Sequence, residues 1–276
     1  MPELPEVETI RSSLAPRLAG RRIERVEIFD PRLTQPEPPE AVAFALAGEQ
    51  IADVRRRGKY LVFALESGRH LLVHLRMTGG FEYPAEPDGR HRRAVVKLDD
   101  GSDVAYRDMR RFGRWLLLEP GELEDYWRGR LGSEPLERDF TTASLARGLS
   151  GRKLPVKAAL LDQRAVAGIG NIYADEALWW ARIHPLRPAG SLSKEEVAAL
   201  RKGVRKALEV GIARHGTTLR DYRDPDGRRG RMRGELRVYG REHEPGRRCG
   251  TPIERIRAAG RGTWYCPYCQ RLERTT

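Results

Sequence analysis

The apolar residues of this chain change their spacing once, near residue 120, and that change limits the folds open to it. Upstream, short apolar runs follow one another: Tyr60-Leu61-Val62-Phe63-Ala64-Leu65, Leu71-Leu72-Val73-His74-Leu75 and Trp115-Leu116-Leu117-Leu118. Ser67-Gly68 and Asp99-Asp100-Gly101 punctuate them, and Ile23 to Ile28 shares the texture with a less clean alternation. Short strands at this spacing predict an antiparallel sandwich or barrel. A helix leads into it: Pro5 suits a first helical position, Val7, Ile10, Leu14 and Leu18 form one apolar stripe, and Gly20 supplies a stop. Downstream the period is helical. Ala158 to Leu161 and Ala174 to Ala181 flank the turn Gly168-Ile169-Gly170-Asn171, and Ser193-Lys194-Glu195-Glu196 is a capping-box start. Glu119-Pro120-Gly121 and Gly132-Ser133-Glu134-Pro135 mark the boundary between the halves.

Charge narrows the partner. Lys and Arg number 51 against 39 Asp and Glu, a net charge of +12 and an isoelectric point near 10.0, which suits a polyanion. A merely soluble basic protein is the alternative. Arginines number 44 and lysines 7, and the arginine fork fits phosphate. Residues 220–276 hold 15 arginines, no lysine and 8 acids, so this tail carries more than half of the excess. No apolar run reaches the roughly 18 residues of a spanning helix. The start Met1-Pro2-Glu3-Leu4-Pro5-Glu6 lacks the basic and apolar regions of a signal peptide. Cytoplasm is the expected compartment and no membrane is implied.

Three cysteines argue against a disulfide framework, and all lie near the end: Cys249, Cys266 and Cys269. Cys266-Pro267-Tyr268-Cys269 is a knuckle that closes a zinc ribbon, and Cys249 fits the other knuckle. The fourth position falls on Gly246, which has no ligand atom. His243 or a water completes the site, or it is metal-free and held by packing.

Other segments carry chemistry more faintly. Pro2 without Met1 is a free secondary amine, able to attack an aldehyde-level carbon, with Glu3 beside it as an acid/base group; an extended leader to the helix is the plainer reading. Lys59 follows Arg55-Arg56-Arg57-Gly58, whose charges lower a lysine pKa, unless the cluster is simply a phosphate-contacting loop. Arg110-Arg111-Phe112-Gly113 sets two cations and an aromatic in a turn, a trio suited to entering a base stack, and Met77 is a second candidate wedge. Small residues at 168–170 let a phosphate approach a helix start, with Asn171 as an extra donor; a ligand-free helix turn is the alternative.

In this order, Met1-Pro2-Glu3-Leu4-Pro5-Glu6-Val7-Glu8-Thr9, Lys59-Tyr60-Leu61, His74-Leu75-Arg76-Met77-Thr78-Gly79, Arg110-Arg111-Phe112-Gly113, Gly168-Ile169-Gly170-Asn171-Ile172-Tyr173-Ala174-Asp175-Glu176 and the cysteine tail resemble the formamidopyrimidine-DNA glycosylase (Fpg) family, over nearly the whole chain. The resemblance implies an α+β fold. A catalytic antiparallel β-sandwich with a leading helix would span 1–130, a helix–two-turn–helix domain 131–225, and a zinc-ribbon-like hairpin 226–276. It implies Pro2 as the nucleophile, Glu3 as its acid/base partner, Glu6 as a structural carboxylate, Lys59 assisting elimination, and Arg261 on the hairpin binding phosphate. Met77, Arg110 and Phe112 would fill the gap left by a flipped lesion, and His91, Arg152 and Asn171 would contact DNA. The 216–222 loop resembles the segment that caps an everted oxidised purine. With Leu4, it favours Fpg over the endonuclease VIII branch.

Gly246, where the family has cysteine, places zinc in doubt. The implied function is a bifunctional glycosylase and abasic-site lyase of base excision repair. It would be a monomer acting on damaged double-stranded DNA in the bacterial cytoplasm and nucleoid. A paralog that binds damaged or abasic DNA without turnover, and endonuclease VIII-like action on oxidised pyrimidines, are the alternatives.

Overall fold

The computed structural model describes residues 1–85 and 89–272. They belong to two compact units: residues 1–128 with 214–231, and residues 129–213 with the chain from 232 onward.

The first unit opens with α1 (Leu4–Leu18), β1 (Ile23–Ile28), α2 (Pro39–Leu46), β2 (Ile51–Arg57), β3 (Tyr60–Leu65) and β4 (His70–His74). It continues through β5 (Gly79–Glu82), β6 (Arg92–Leu98), β7 (Asp103–Asp108), β8 (Arg114–Leu118) and α3 (Glu122–Trp127). The strands form two four-stranded antiparallel sheets, ordered β1-β6-β7-β5 and β2-β3-β4-β8. The period-2 rule explains the layering: Val54, Leu61, Phe63 and Val73 from one sheet share a core with Phe81, Val104 and Tyr106 from the other. Phe63, Phe81, Tyr106 and Trp115 form an edge-packed row across it, with centroid spacings of 5.8, 5.3 and 5.6 Å. The apolar stripe of α1 joins this core. Val7, Ile10, Leu14 and Leu18 are all buried, at about 1.5–3 kcal/mol each.

Residues 214–231 pack in this unit rather than with the helices that precede them. Thr217 N donates to Glu6 Oε1 at 2.6 Å, Tyr83 N to the Pro225 carbonyl at 3.0 Å, and Arg17 pairs with Asp226 at 2.7 Å. The compact units therefore do not follow three consecutive segments cut at 130 and 225.

The second unit holds α4 (Thr142–Leu149), α5 (Val156–Leu161), α6 (Asn171–Ala181), α7 (Lys194–Ala213) and the antiparallel hairpin β9 (Glu254–Ala258) and β10 (Arg261–Tyr265). Ser193 and Glu196 cap α7 reciprocally, at 2.8 and 3.2 Å. The Gln163 side chain knits the turn from α5 to α6, donating to the Leu161 and Ile169 carbonyls and accepting from Gly168 N, each at 2.9 Å. This pair is the helix–two-turn–helix.

The hairpin is fastened to α5 and α6 through buried charge. Lys157 Nζ lies 2.8 Å from Asp175 and donates to the Gly262 carbonyl and Thr263 Oγ1 at 3.0 and 2.7 Å, while Trp264 N donates to Asp175 Oδ2 at 3.0 Å. Burial raises the Asp175 carboxyl to about 7 while the Lys157 ammonium opposes it. No described helix is long and apolar enough to cross a membrane.

Breaking one side of a buried ion pair leaves an uncompensated charge. We predict that Lys157→Met destabilises the protein by about 3–5 kcal/mol in denaturant titrations, and that Lys157→Met with Asp175→Asn recovers most of it. A carboxyl with a raised folded pKa stabilises least at high pH, so the Lys157→Met loss is expected to be larger at pH 8 than at pH 5.

Candidate active site and nucleic-acid interface

Within the first unit, the chain start is organised by two glutamates. Glu3 is the N-cap of α1 and Pro5 sits in its first turn. Glu6 Oε2 accepts from Glu3 N at 2.8 Å, and Oε1 accepts from Thr217 N. Glu3 and Glu6 are each 2% exposed. With both oxygens on backbone N–H groups, the Glu6 carboxylate links the N-cap of α1 to the loop at Thr217. Gly216 stands against it with a φ of +80°, a backbone angle that glycine tolerates. Pro2 is buried at the N-terminal end of α1, beside an exposed Met1.

Lys59 lies in the two-residue turn between β2 and β3 and is buried at 6% exposure. Its charge is felt by His74, one strand away. Burial first, then the Arg76 and Lys59 charges, push the His74 imidazole down to about 3. His74 is therefore neutral at working pH, and its Nδ1 accepts from Arg76 N at 3.0 Å. The arginines before Lys59 are not a loop. They lie on β2, and Arg56 is paired with Glu8 at 2.9 Å with 8% of its side chain exposed.

The predicted wedge residues occupy two turns. Met77 follows Arg76, whose φ is +52°, between β4 and β5, and is 37% exposed. Arg110 and Phe112 lie between β7 and β8. Phe112 is 49% exposed, with the Arg110 guanidinium 4.8 Å above its ring. Arg111 does not project with them. It has a φ of +59°, and its fork donates to Asp30 at 2.6 and 2.9 Å. His91 is exposed at the start of β6, with a φ of +63°.

In the second unit, Asn171 is the first residue of α6, and its Nδ2 donates to the Gly262 carbonyl at 3.1 Å. This sets the helix start next to Arg261, which is exposed on β10. Arg152 differs from an unengaged phosphate contact: it pairs with Asp162 at 2.7 Å, a carboxylate that Arg164 also holds.

The three cysteine sulfurs lie within 4.8 Å of one another, with Cys249 3.4 Å from Cys266 and 3.5 Å from Cys269. A tetrahedral zinc with sulfurs at about 2.3 Å needs sulfur spacings of about 3.8 Å, so the set fits. Cys269 N donates to Cys266 Sγ at 3.4 Å, and hydrogen bonds from Thr251 draw the Cys249 thiol down to about 7, toward the thiolate a metal requires. A Cβ at Gly246 would lie 3.9 Å from Cys249 Sγ, so the missing ligand faces this cluster. His243 is not the replacement. Its side chain is 89% exposed and it stands outside the thiol group.

Sequence reasoning missed Asp108 and Asp30, which hold the wedge turns, and Glu176, which accepts from the N–H groups of Arg237, Val238 and Tyr239. The signal for Asp108 was its place two residues before Arg110. For Lys157, it was the rarity of lysine in this chain.

A helix–two-turn–helix beside a thiol-closed hairpin, with a separate sandwich carrying an amine-led helix, is the architecture of a DNA glycosylase. Comparison makes the assignment particular. Residues 1–115 match the formamidopyrimidine-DNA glycosylase N-terminal domain, 131–223 that family's H2TH domain, and 247–272 the zinc finger found in FPG and IleRS. The formamidopyrimidine-DNA glycosylase of Symbiobacterium thermophilum is 50% identical, with 98% of this chain and 89% of that protein covered. That of Desulfitobacterium hafniense is 49% identical, with 98% and 100% covered. The crystal structure of MutM (Fpg) from Thermus thermophilus aligns with a TM-score of 0.88 at 44% identity, over 99% of this chain and 100% of that one. A Lactococcus lactis Fpg mutant in complex with Fapy-dG-containing DNA aligns with a TM-score of 0.91 at 36% identity, over 98% and 100%. The chain belongs to the formamidopyrimidine-DNA glycosylase family.

The Arg111 fork holds the Asp30 carboxyl at about 2, below its ordinary 3.8. A depressed acid stabilises above its unfolded pKa and loses that contribution as pH falls through the folded value. We predict that Asp30→Asn flattens the fall in stability between pH 4 and pH 2 in denaturant titrations. A slope equal to the parent protein's would contradict the clamp.

Proposed function

We propose that the chain excises oxidised purines, 8-oxoguanine and formamidopyrimidines, from duplex DNA and cuts the strand by β,δ-elimination. Glycosylase and lyase chemistry in base excision repair is that of the family, and the finger is a zinc-binding module. The observation that carries the finer reading is the chain start, where Pro2 and the buried Glu3 side chain adjoin in sequence at the head of a 15-residue helix. The partial positive charge of that helix end disfavours a protonated amine and so favours the nucleophilic form.

With Met1 removed, the Pro2 nitrogen bonds to C1′ as the glycosidic bond breaks, and the base leaves with the bonding pair. Glu3 delivers a proton to the sugar ring oxygen, and the ring opens to an iminium. The Glu3 carboxylate left by that transfer then takes a C2′ proton as the 3′ phosphate departs, and a second elimination, with loss of the C4′ proton to solvent, releases the 5′ phosphate. Lys59, buried in the β2–β3 turn, is the cation assigned to phosphate in these eliminations. A base in the stack is out of reach, so the nucleotide must first be extruded. Met77, Arg110 and Phe112 fill the space, and Arg110 is a donor for the orphaned base. His91, Arg152, Asn171 and Arg261 hold phosphates. Every group this scheme calls for is on one chain, which supports action as a monomer on nucleoid DNA in the cytoplasm.

Cys249, Cys266 and Cys269 would hold the zinc, which would stabilise the hairpin and supply no chemistry to the steps above. We expect about one zinc per chain in protein purified without chelators; a content near zero overturns the metal reading.

Borohydride trapping tests the chemistry, on a duplex with 8-oxoguanine opposite cytosine and on an abasic duplex. An adduct with both that maps to Pro2, and its loss in Pro2→Gly with duplex binding retained, is the expected result. An adduct with the abasic duplex alone would leave the lyase standing and move the lesion toward oxidised pyrimidines. No adduct with either duplex, with binding retained, would make the chain a non-catalytic paralog.

A further inference from the structure

Asp108 ends β7, is 1% exposed, and has no role in the chemistry above. Its contacts reach the turn that carries Met77, the turn that carries Arg110 and Phe112, and the strand start at His91. Oδ1 accepts from Thr78 Oγ1 at 2.5 Å and from Arg110 N at 3.2 Å, and Oδ2 accepts from Gly113 N at 2.7 Å. Arg110 N also donates to Thr78 Oγ1 at 2.9 Å, which closes a triangle. The backbone of Asp108 takes part as well: its N–H donates to the His91 carbonyl at 3.0 Å, and its carbonyl accepts from Arg93 Nε at 2.9 Å. Thr78 follows Met77, and Arg110 and Gly113 bracket Phe112.

The space around this carboxylate is filled. The Tyr106 ring runs up from the core and its hydroxyl lies between Gly79 and Gly113, where a Cβ on either glycine would collide with it. These glycines are required by the close approach, and the two turns cannot separate without opening the sandwich end. Burial and the Asp108 charge together keep the Tyr106 hydroxyl protonated.

We infer that Asp108 is the positioning residue of the DNA-inserting apparatus: one buried carboxylate sets the Met77 turn and the Arg110–Phe112 turn in a single geometry, while the backbone of the same residue holds the His91 strand start. This inference rests on the wedge reading of Met77, Arg110 and Phe112. The physical reason is rigidity. A side chain that replaces an extruded nucleotide must already be in place, and a displacement of about 1 Å in such a group can lower a rate about a hundredfold. The carboxylate suits the task because it only accepts, and the groups around it donate.

The test compares cleavage of an abasic site in a duplex, which requires extrusion, with cleavage of the same site in single-stranded DNA, which does not. The ratio of the two single-turnover rates is the readout, and it is independent of which base the enzyme excises. Asp108→Asn sets an amide N–H against the Gly113 N–H or the Thr78 hydroxyl, and the ratio is expected to fall about tenfold or more. Thr78→Val, which removes one donor and keeps the shape, is expected to lower it less. In the double variant the effects should be less than additive. A ratio equal to the parent protein's in both variants, whether the two rates fall together or not at all, overturns the inference. Thr78→Val alone decides the matter if Asp108→Asn does not fold. Phe112→Ala is the control: if it leaves the ratio unchanged, the wedge reading itself fails. If it lowers the ratio and the Asp108 and Thr78 variants do not, only the role of Asp108 falls.

Discussion

Glu6 accepts from the N–H of Glu3 with one carboxylate oxygen and from the N–H of Thr217 with the other. That bond pair ties the first turn of α1, and with it the Glu3 N–H, to the loop at 216–217. The same device recurs. Asp108 gathers N–H groups from the wedge turn, and Glu176 gathers three consecutive N–H groups at Arg237, Val238 and Tyr239. A buried carboxylate is strongly unfavourable unless donors surround it, so the charge and the loop are ordered together or not at all. Loops held this way need little regular structure of their own. That suits segments whose exposed side chains must be placed for a ligand.

Charge bias explains the choice of acceptor. Buried Asp30 and partly buried Glu8 pair with Arg111 and Arg56, so some arginines that look like phosphate contacts in the sequence are braces. The cationic surface that meets DNA is therefore smaller than the arginine count suggests. Arg111 is engaged with Asp30, while Arg110 stacks on the exposed Phe112 ring.

These contacts set the limits of what was legible in the sequence. The α1 stripe, β3, β4, β8 and the α5–α6 turn were visible, because each buries a local apolar pattern whose period reports its geometry. Strands β6 and β7 were not, because Arg92, Lys97, Asp103 and Arg107 break the alternation, and β5 was not because it is four residues that open on Gly79-Gly80. The Pro2-Glu3 start and the turns at Met77 and at Arg110–Phe112 stood out as motifs, but the contacts that hold them did not. Glu6 and Thr217 are 211 positions apart, and Arg111 and Asp30 are 81 apart. No local pattern encodes a hydrogen bond at that separation. For the same reason, residues 214–225 read as the end of the helical region and 226–231 as the start of the hairpin, although Thr217, Pro225 and Asp226 bond to Glu6, Tyr83 and Arg17.

The hairpin shows how the same logic tolerates a lost metal ligand. In a small finger whose only core is its metal, removing one of four thiolates removes the fold. Here the hairpin has other anchors. Lys157 and Asp175 bond to Gly262, Thr263 and Trp264, and Asn171 bonds to Gly262. Gln270 accepts from Cys266 N and donates to the Ile183 carbonyl, and Trp179, Val238 and Ile253 pack behind Cys266. All but the Gln270 bonds and that packing converge on residues adjoining Arg261, away from the sulfur end. The end of the hairpin expected to hold phosphate is thus fixed by buried charge, and the end with the incomplete thiol set is fixed by packing and by metal. A glycine at position 246 weakens the second anchor and leaves the first in place, so the substitution and a working nucleic-acid interface are physically compatible.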